Sequence, residues 1–200
     1  MNTLEAFNQT LFLAINATPS TSASLLDVAR LIADYVIYLV PLSLTAMWLS
    51  GDAHRRETAL HACCAALLAL GINQVIGLLW PHPRPFVLGI GYTFLDHAPD
   101  SSFPSDHGTI FACVALTLLL NGVRRLGVAI VLAGLAVAWA RVFVGVHFPL
   151  DMVGAVVVAS VAICLLAPFW QLLGTSATRG LVAVYRRLLA WPIGRGWLPL

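Results

Sequence analysis

Lysine is missing altogether from this 200-residue chain, so all eleven basic side chains are arginine. Charge of either sign is scarce: Asp, Glu, Lys and Arg together make up 10% of the residues, where a soluble domain carries about 25%. That leaves too few polar side chains to cover a water-exposed surface and excludes an ordinary soluble globule. No basic side chain precedes Arg30. A cleavable signal peptide, which opens on a positive segment, is therefore not expected. The four cysteines, Cys63, Cys64, Cys113 and Cys164, lie inside apolar runs at spacings unlike any zinc motif. They read as small packing residues, with neither a disulfide nor a metal expected. Nothing in the composition points to a nucleic-acid partner.

What is present is apolar: 60% of the residues are hydrophobic and the mean hydropathy is +0.88. The expectation is a single all-α domain over 1–200, a polytopic membrane helical bundle whose immediate partners are membrane lipids. A spanning helix needs about 20 mostly apolar residues. Five runs qualify, at roughly 24–49, 58–80, 107–121, 126–145 and 150–173. Residues 1–17 read as an interfacial helix or a short sixth span. Within a basic tail over 174–200, the stretch 179–191 predicts an amphipathic helix on the cytoplasmic surface. Arg55 and Arg56, Arg124 and Arg125, and Arg179, Arg186, Arg187 and Arg195 fall in two loops and the tail. The positive-inside rule makes those places cytoplasmic. The 81–106 loop and the turn near 145–150 then face the other side, and Arg30, Arg84 and Arg141 are the exceptions needing a reason.

Three polar clusters gather at that other face. The first, "PHPRPF" (81–86), holds Arg84 between two prolines that stiffen its backbone; by itself it suits a lipid headgroup phosphate as well as a built site. The second, "SFPSDHG" (102–108), puts the cap-type residues Ser105 and Asp106 before an apolar run, and helix starts favour anions. Alone it is equally a simple cap. The third, "RVFVGVHFPLD" (141–151), places Asp151 one helical turn beyond His147 and Arg141 just upstream. A carboxylate on one imidazole nitrogen fixes the tautomer and leaves the other free to act as nucleophile. Arginine forks match phosphate oxygens, so the set suits phosphoryl transfer. Asp96, Asp100 and Asp106 show no repeated ligand spacing, and the chemistry through histidine needs no metal or other cofactor.

"Arg84-Pro85", "Pro104-Ser105-Asp106-His107" and "Arg141…His147…Asp151" resemble the three signature motifs of the type 2 phosphatidic acid phosphatase (PAP2) superfamily. The likeness covers about residues 77–154 and is nearest to bacterial undecaprenyl-diphosphatases of the bacitracin-resistance type. The resemblance implies that His147 attacks the terminal phosphorus, that Asp151 orients it, and that His107 protonates the leaving oxygen and then activates water. It implies that Arg84, Arg141, Ser105 and the backbone around Asp106 to Gly108 hold the phosphate. The implied substrate is undecaprenyl diphosphate, cleaved outside the cytoplasmic membrane for carrier recycling, with bacitracin resistance on overproduction. One position departs from the pattern: where the superfamily has a lysine seven residues before the arginine, this chain has Gly77. His82, His97 and Arg30 are candidates to replace that contact.

Asn73 and Gln74 lie within the second run, where polar side chains usually bond between helices; that structural role is favoured over substrate contact. Asp27, Arg30 and Asp34 fit either a structural ion pair or a site wall. Other lipid phosphates or a lipid acceptor remain open. So does a non-catalytic transporter or scaffold, although the chain shows no internal repeat and its polar residues gather at one face, not midplane. The oligomeric state is open.

Overall fold

The computed structural model describes residues 3–50 and 52–198. Among them are eight α-helices: α1 (Thr3–Ile15), α2 (Ala23–Tyr35), α3 (Leu39–Leu49), α4 (Ala53–Leu79), α5 (Asp106–Leu120), α6 (Arg124–Phe143), α7 (Pro149–Leu188) and α8 (Ala190–Gly194). Helix α5 is the centre, packed against α4, α6 and α7, while α2 and α3 lie outside against α6 and α4.

The packing is inside out. Ala62, Ala65 and Ala69 of α4 are fully buried, as are Ala159 and Ala162 of α7, whereas Leu67, Leu78, Leu79, Leu165 and Leu172 face outward. In lipid a large apolar side chain gains little by turning inward. Small residues that let helix backbones approach therefore take the interface. Cys113 is buried in this seam, Cys63 and Cys164 are exposed, and all four cysteines are free.

The bundle is all-α and polytopic, but among the described residues three helices, not five, are long and apolar enough to cross a membrane: α4 with 27 residues, α6 with 20 and α7 with 40. The run at 24–49 is not one helix. It stops at Tyr35, passes through a 3₁₀ turn at Val36–Tyr38 and restarts as α3. Pro41 accounts for the break, because proline has no N–H for the carbonyl four residues back and its ring crowds that carbonyl; it is tolerated in the first turn of a new helix. The run at 107–121 forms α5, whose 15 residues reach only about 22 Å, short of a hydrocarbon core of about 30 Å.

At the N-terminal end, α1 docks on the α6–α7 turn. Phe12 meets Phe148 edge to face at 5.2 Å, and Leu150 N–H donates to Asn8 Oδ1 at 3.1 Å. At the other end α7 does not stop near 173 but runs on to Leu188, so most of 179–191 forms the last turns of a long helix. There Tyr185 packs on Trp48, and Arg56 lies over both rings. Met1, Asn2, Pro199 and Leu200, which belong to the two expected terminal segments, lie outside the described residues.

Leu at position 69, which is 0% exposed, must force α4 away from α5 and α7; Leu67, 64% exposed, touches little protein. Ala69→Leu is expected to cost about 1–3 kcal/mol and Leu67→Ala less than about 0.5 kcal/mol, read as thermal unfolding of the two variants in the same detergent.

Candidate active site

The three polar clusters converge because the 81–105 loop folds back on itself and is strapped to the α6–α7 turn. His82 N–H donates to Ser101 Oγ at 3.1 Å, and Ser102 N–H donates to the His82 carbonyl at 2.7 Å. Those two bonds join the first cluster to the second. Ser105 N–H donates to the Asp151 carbonyl at 3.3 Å and Phe94 N–H to the Val144 carbonyl at 2.9 Å, joining the loop to the third. Gly145 makes the turn possible: its φ of +89° suits glycine, and a Cβ there would overlap the Tyr92 carbonyl. Asn16 clamps the same place, accepting from Tyr92 N–H at 2.7 Å and donating to the Tyr92 and Phe143 carbonyls at 2.9 and 3.1 Å.

His147 and Asp151 meet as their spacing predicts, with Nδ1 and Oδ2 3.1 Å apart and both side chains buried. Asp151 Oδ2 also accepts Phe148 N–H at 2.8 Å, reaching back over the start of α7, and accepts the Ser102 hydroxyl. On the far side of the ring Arg84 Nη1 lies 3.1 Å from Nε2. A guanidinium only donates, so Nε2 carries the lone pair and Nδ1 carries the proton toward Asp151. Burial first, then the charges of Arg141 and Arg84, hold His147 well below the usual histidine range. The imidazole is a free base with its lone pair aimed at a cation, the arrangement an anionic electrophile requires.

That nitrogen belongs to a cavity of about 300 Å³ whose wall includes Arg84, Arg141, His107, Asp106, His97 and Asp100. Arg141 is buried; Nη1 donates to the Ala33 carbonyl at 3.3 Å, and Nε has no hydrogen-bond partner among the described residues. A buried guanidinium N–H of this kind calls for an acceptor. Helix α5 begins at Asp106, so its positive end meets the same cavity. Ser105 and Gly108 stand apart from the wall. The buried Ser105 hydroxyl caps α5 by accepting Gly108 N–H at 3.3 Å, and Gly108 packs against α7, where a Cβ would meet Ala155 at 3.0 Å.

Among the residues with two open readings, Asn73 does both things. It bridges α4 to α5, donating to Asp106 Oδ1 at 2.8 Å and Thr109 Oγ1 at 3.0 Å, and with Gln74 it lines the cavity. Gly77 lines it too, with Ser101 packed against it. Of the proposed substitutes for lysine, only His97 is on the wall; burial, aided by the Arg84 and Arg141 charges, lowers its basicity. His82 instead faces Glu5 at 3.8 Å. Arg30 pairs with Asp27 at 3.1 Å and holds the loop through the Phe94 carbonyl at 2.6 Å, while Asp34 is not on the wall. The sequence reading missed Ser102 as a partner of Asp151 and Asp100 as the partner of Arg84. Their place in a loop with no periodicity gave no contact to infer.

A carboxylate-bonded imidazole facing two arginines and a helix start lines one cationic cavity at one end of a helical membrane bundle. Residues 58–174 match the PAP2 superfamily, and the chain belongs to it. It is 39% identical to YbjG of Escherichia coli (strain K12), with 98% of each chain covered. It is 36% identical to the undecaprenyl-diphosphatase BcrC of Bacillus subtilis (strain 168), over 76% of this chain and 78% of that one. The crystal structure of a transmembrane PAP2 type phosphatidylglycerolphosphate phosphatase from Bacillus subtilis shares the fold, with a TM-score of 0.64 at 18% identity over 86% of this chain and 88% of that one.

The depressed basicity of His147 has a sign that can be tested. Below its ordinary value of 6.5 the unfolded chain takes up a proton that the folded chain refuses. Stability from this group is therefore full above that pH and declines as pH falls through it. Histidine-selective ¹⁵N NMR at about pH 6 should show His147 neutral and protonated on Nδ1, and His147→Gln should lose part of the acid sensitivity of thermal unfolding.

Proposed function

We propose that this protein hydrolyses undecaprenyl diphosphate to undecaprenyl phosphate and inorganic phosphate through a phosphohistidine intermediate. The observation that carries the reading is the His147 ring, tied to Asp151 on one nitrogen and open to the arginine-lined cavity on the other. Membership of the PAP2 superfamily and the likeness to BcrC support it.

The terminal phosphoryl group sits between Arg84 and Arg141, whose forks spread its charge as it transfers. His147 Nε2 attacks phosphorus, and the bond from phosphorus to the bridging oxygen breaks. His107 gives that oxygen its proton, and undecaprenyl phosphate leaves. His107 then takes a proton from water, the water oxygen attacks the phosphohistidine, and the N–P bond breaks to release phosphate. Asp151 holds the ring and balances the positive charge it acquires. The positive end of α5 at Asp106 and His107 adds to the phosphate's field, with Ser105 and Gly108 fixing that helix start.

The isoprenoid tail lies among the helices. A groove of about 520 Å³ between α5, α6 and α7 begins at Gly108 and Met152, one residue beyond His107 and Asp151 in the sequence. Arg55, Arg124, Arg125, Arg186 and Arg187 occur near the ends of α4, α6 and α7 that lie away from the cavity. By the positive-inside rule those ends are cytoplasmic, and the site opens outside the bacterial cytoplasmic membrane. There the reaction returns the cell-wall lipid carrier to its monophosphate, and overproduction of the protein confers bacitracin resistance.

Purified protein in detergent with EDTA is expected to release phosphate from undecaprenyl diphosphate, with His147→Ala inactive and Asp151→Asn reduced about 10²–10⁴-fold. Release that survives His147→Ala would remove the histidine nucleophile. A wild type active only on another lipid phosphate would overturn the substrate.

A further inference from the structure

The two cavity arginines are not equivalent. Arg141 keeps a buried N–H without a partner among the described residues, but each nitrogen of the Arg84 guanidinium has a partner. Its Nη1 donates to the Val146 carbonyl at 2.8 Å and faces His147 Nε2, and its Nη2 reaches the Ser101 carbonyl at 3.4 Å. Its Nε donates to Asp100 Oδ1 at 2.8 Å. The Nε–Nη2 edge is the side of a guanidinium that grips two oxygens of a phosphate at once. Here a loop carboxylate and the next residue's carbonyl sit on that edge.

Asp100 is built to come and go. Its side chain is 62% exposed while that of Arg84 is 5% exposed, so the carboxylate can return to water at little cost and the guanidinium cannot. His97 Nδ1 stands 3.6 Å away as a second contact. Burial alone would raise the Asp100 carboxyl, but the Arg84 hydrogen bond and charge outweigh it and hold it below the ordinary carboxylate range, so it is an anion at neutral pH. Among the described residues no carboxylate is hydrogen-bonded to Arg141, which donates to the Ala33 carbonyl, and the nearby Asp106 is bonded to Asn73.

We propose that Asp100 is the residue that sets anion affinity in this site. Its carboxylate exchanges with the transferring phosphoryl group on Arg84, and its return displaces the product phosphate. This rests on the phosphatase reading above. Phosphate reaches Arg141 first, takes the Arg84 edge as Asp100 swings out, and loses that edge when the carboxylate closes back.

The test is inorganic phosphate binding to the full-length protein in detergent, measured by calorimetry, beside phosphate inhibition of undecaprenyl diphosphate turnover. Asp100→Asn is expected to bind phosphate about fivefold more tightly, with KM lowered and kcat lowered as release slows. Asp100→Glu, which keeps the charge, is expected to bind phosphate less tightly than Asp100→Asn. Damage to a site weakens binding, so a gain separates exchange from a merely structural role. A folded Asp100→Asn that binds phosphate no better than wild type overturns the proposal; Asp100→Ser repeats the comparison if the asparagine variant does not fold. Because binding is read without turnover, a wild type that cleaves no lipid diphosphate overturns the phosphatase reading separately.

Discussion

Asp151 is the carboxylate on which the site is assembled. One of its oxygens receives the His147 ring, the Phe148 backbone and the Ser102 hydroxyl. Each donor comes with a piece of the fold: the turn after α6, the first residue before α7, and the far end of the long loop. A buried carboxylate is tolerable only where donors converge, so the donors on Oδ2 bring the loop down onto the turn, while Oδ1 has no hydrogen-bond partner among the described residues. Once there, the loop delivers Arg84 to the Nε2 edge of the imidazole. The orienting of the His147 ring and the closing of the cavity are one event.

The surrounding bundle makes that possible by packing on small residues. Alanines and other small residues bring α4, α5 and α7 close, while leucines face lipid. Close helices give a rigid rim, and Arg84, Arg141, Asp106, His147 and Asp151 collect where the ends of α4, α5, α6 and α7 meet one loop. His61, stacked on Trp170 at 4.5 Å near the other end of the bundle, is a buried histidine with no such setting. Two histidines of similar burial thus differ because one has a carboxylate at i+4 and an arginine opposite.

The same contrast explains what could be read in the chain beforehand. His147 and Asp151 were legible because helical spacing is a local rule, and Arg141 because a charge beside an apolar run demands a reason. Hydropathy misjudged the 24–49 run because it counts apolar residues and is blind to the lost hydrogen bond that Pro41 imposes. It also counted α5 as a full span, although a central helix enclosed by α4, α6 and α7 need not meet the length that lipid requires. Ser102 and Asp100 were invisible for another reason: they act through contacts set by how the stretch 80–105 between α4 and α5 folds back, and no period encodes that. Ser105 was legible as a cap and acts as one; the sequence could not say whether its hydroxyl was also free for phosphate.

Gly77 ties the missing lysine to this closure. A Cβ at 77 would start 3.3 Å from Ser101 Cβ, tighter than ordinary contact, so a side chain there needs Ser101 to give by a few tenths of an ångström. Ser101 accepts from His82 N–H, its neighbour Ser102 donates to Asp151, and its other neighbour Asp100 holds Arg84. Displacing Ser101 would strain all three. The bare position therefore does more than omit a cation: with no Cβ it leaves Ser101 in place, between the hydroxyl that supports the His147–Asp151 pair and the carboxylate that holds Arg84.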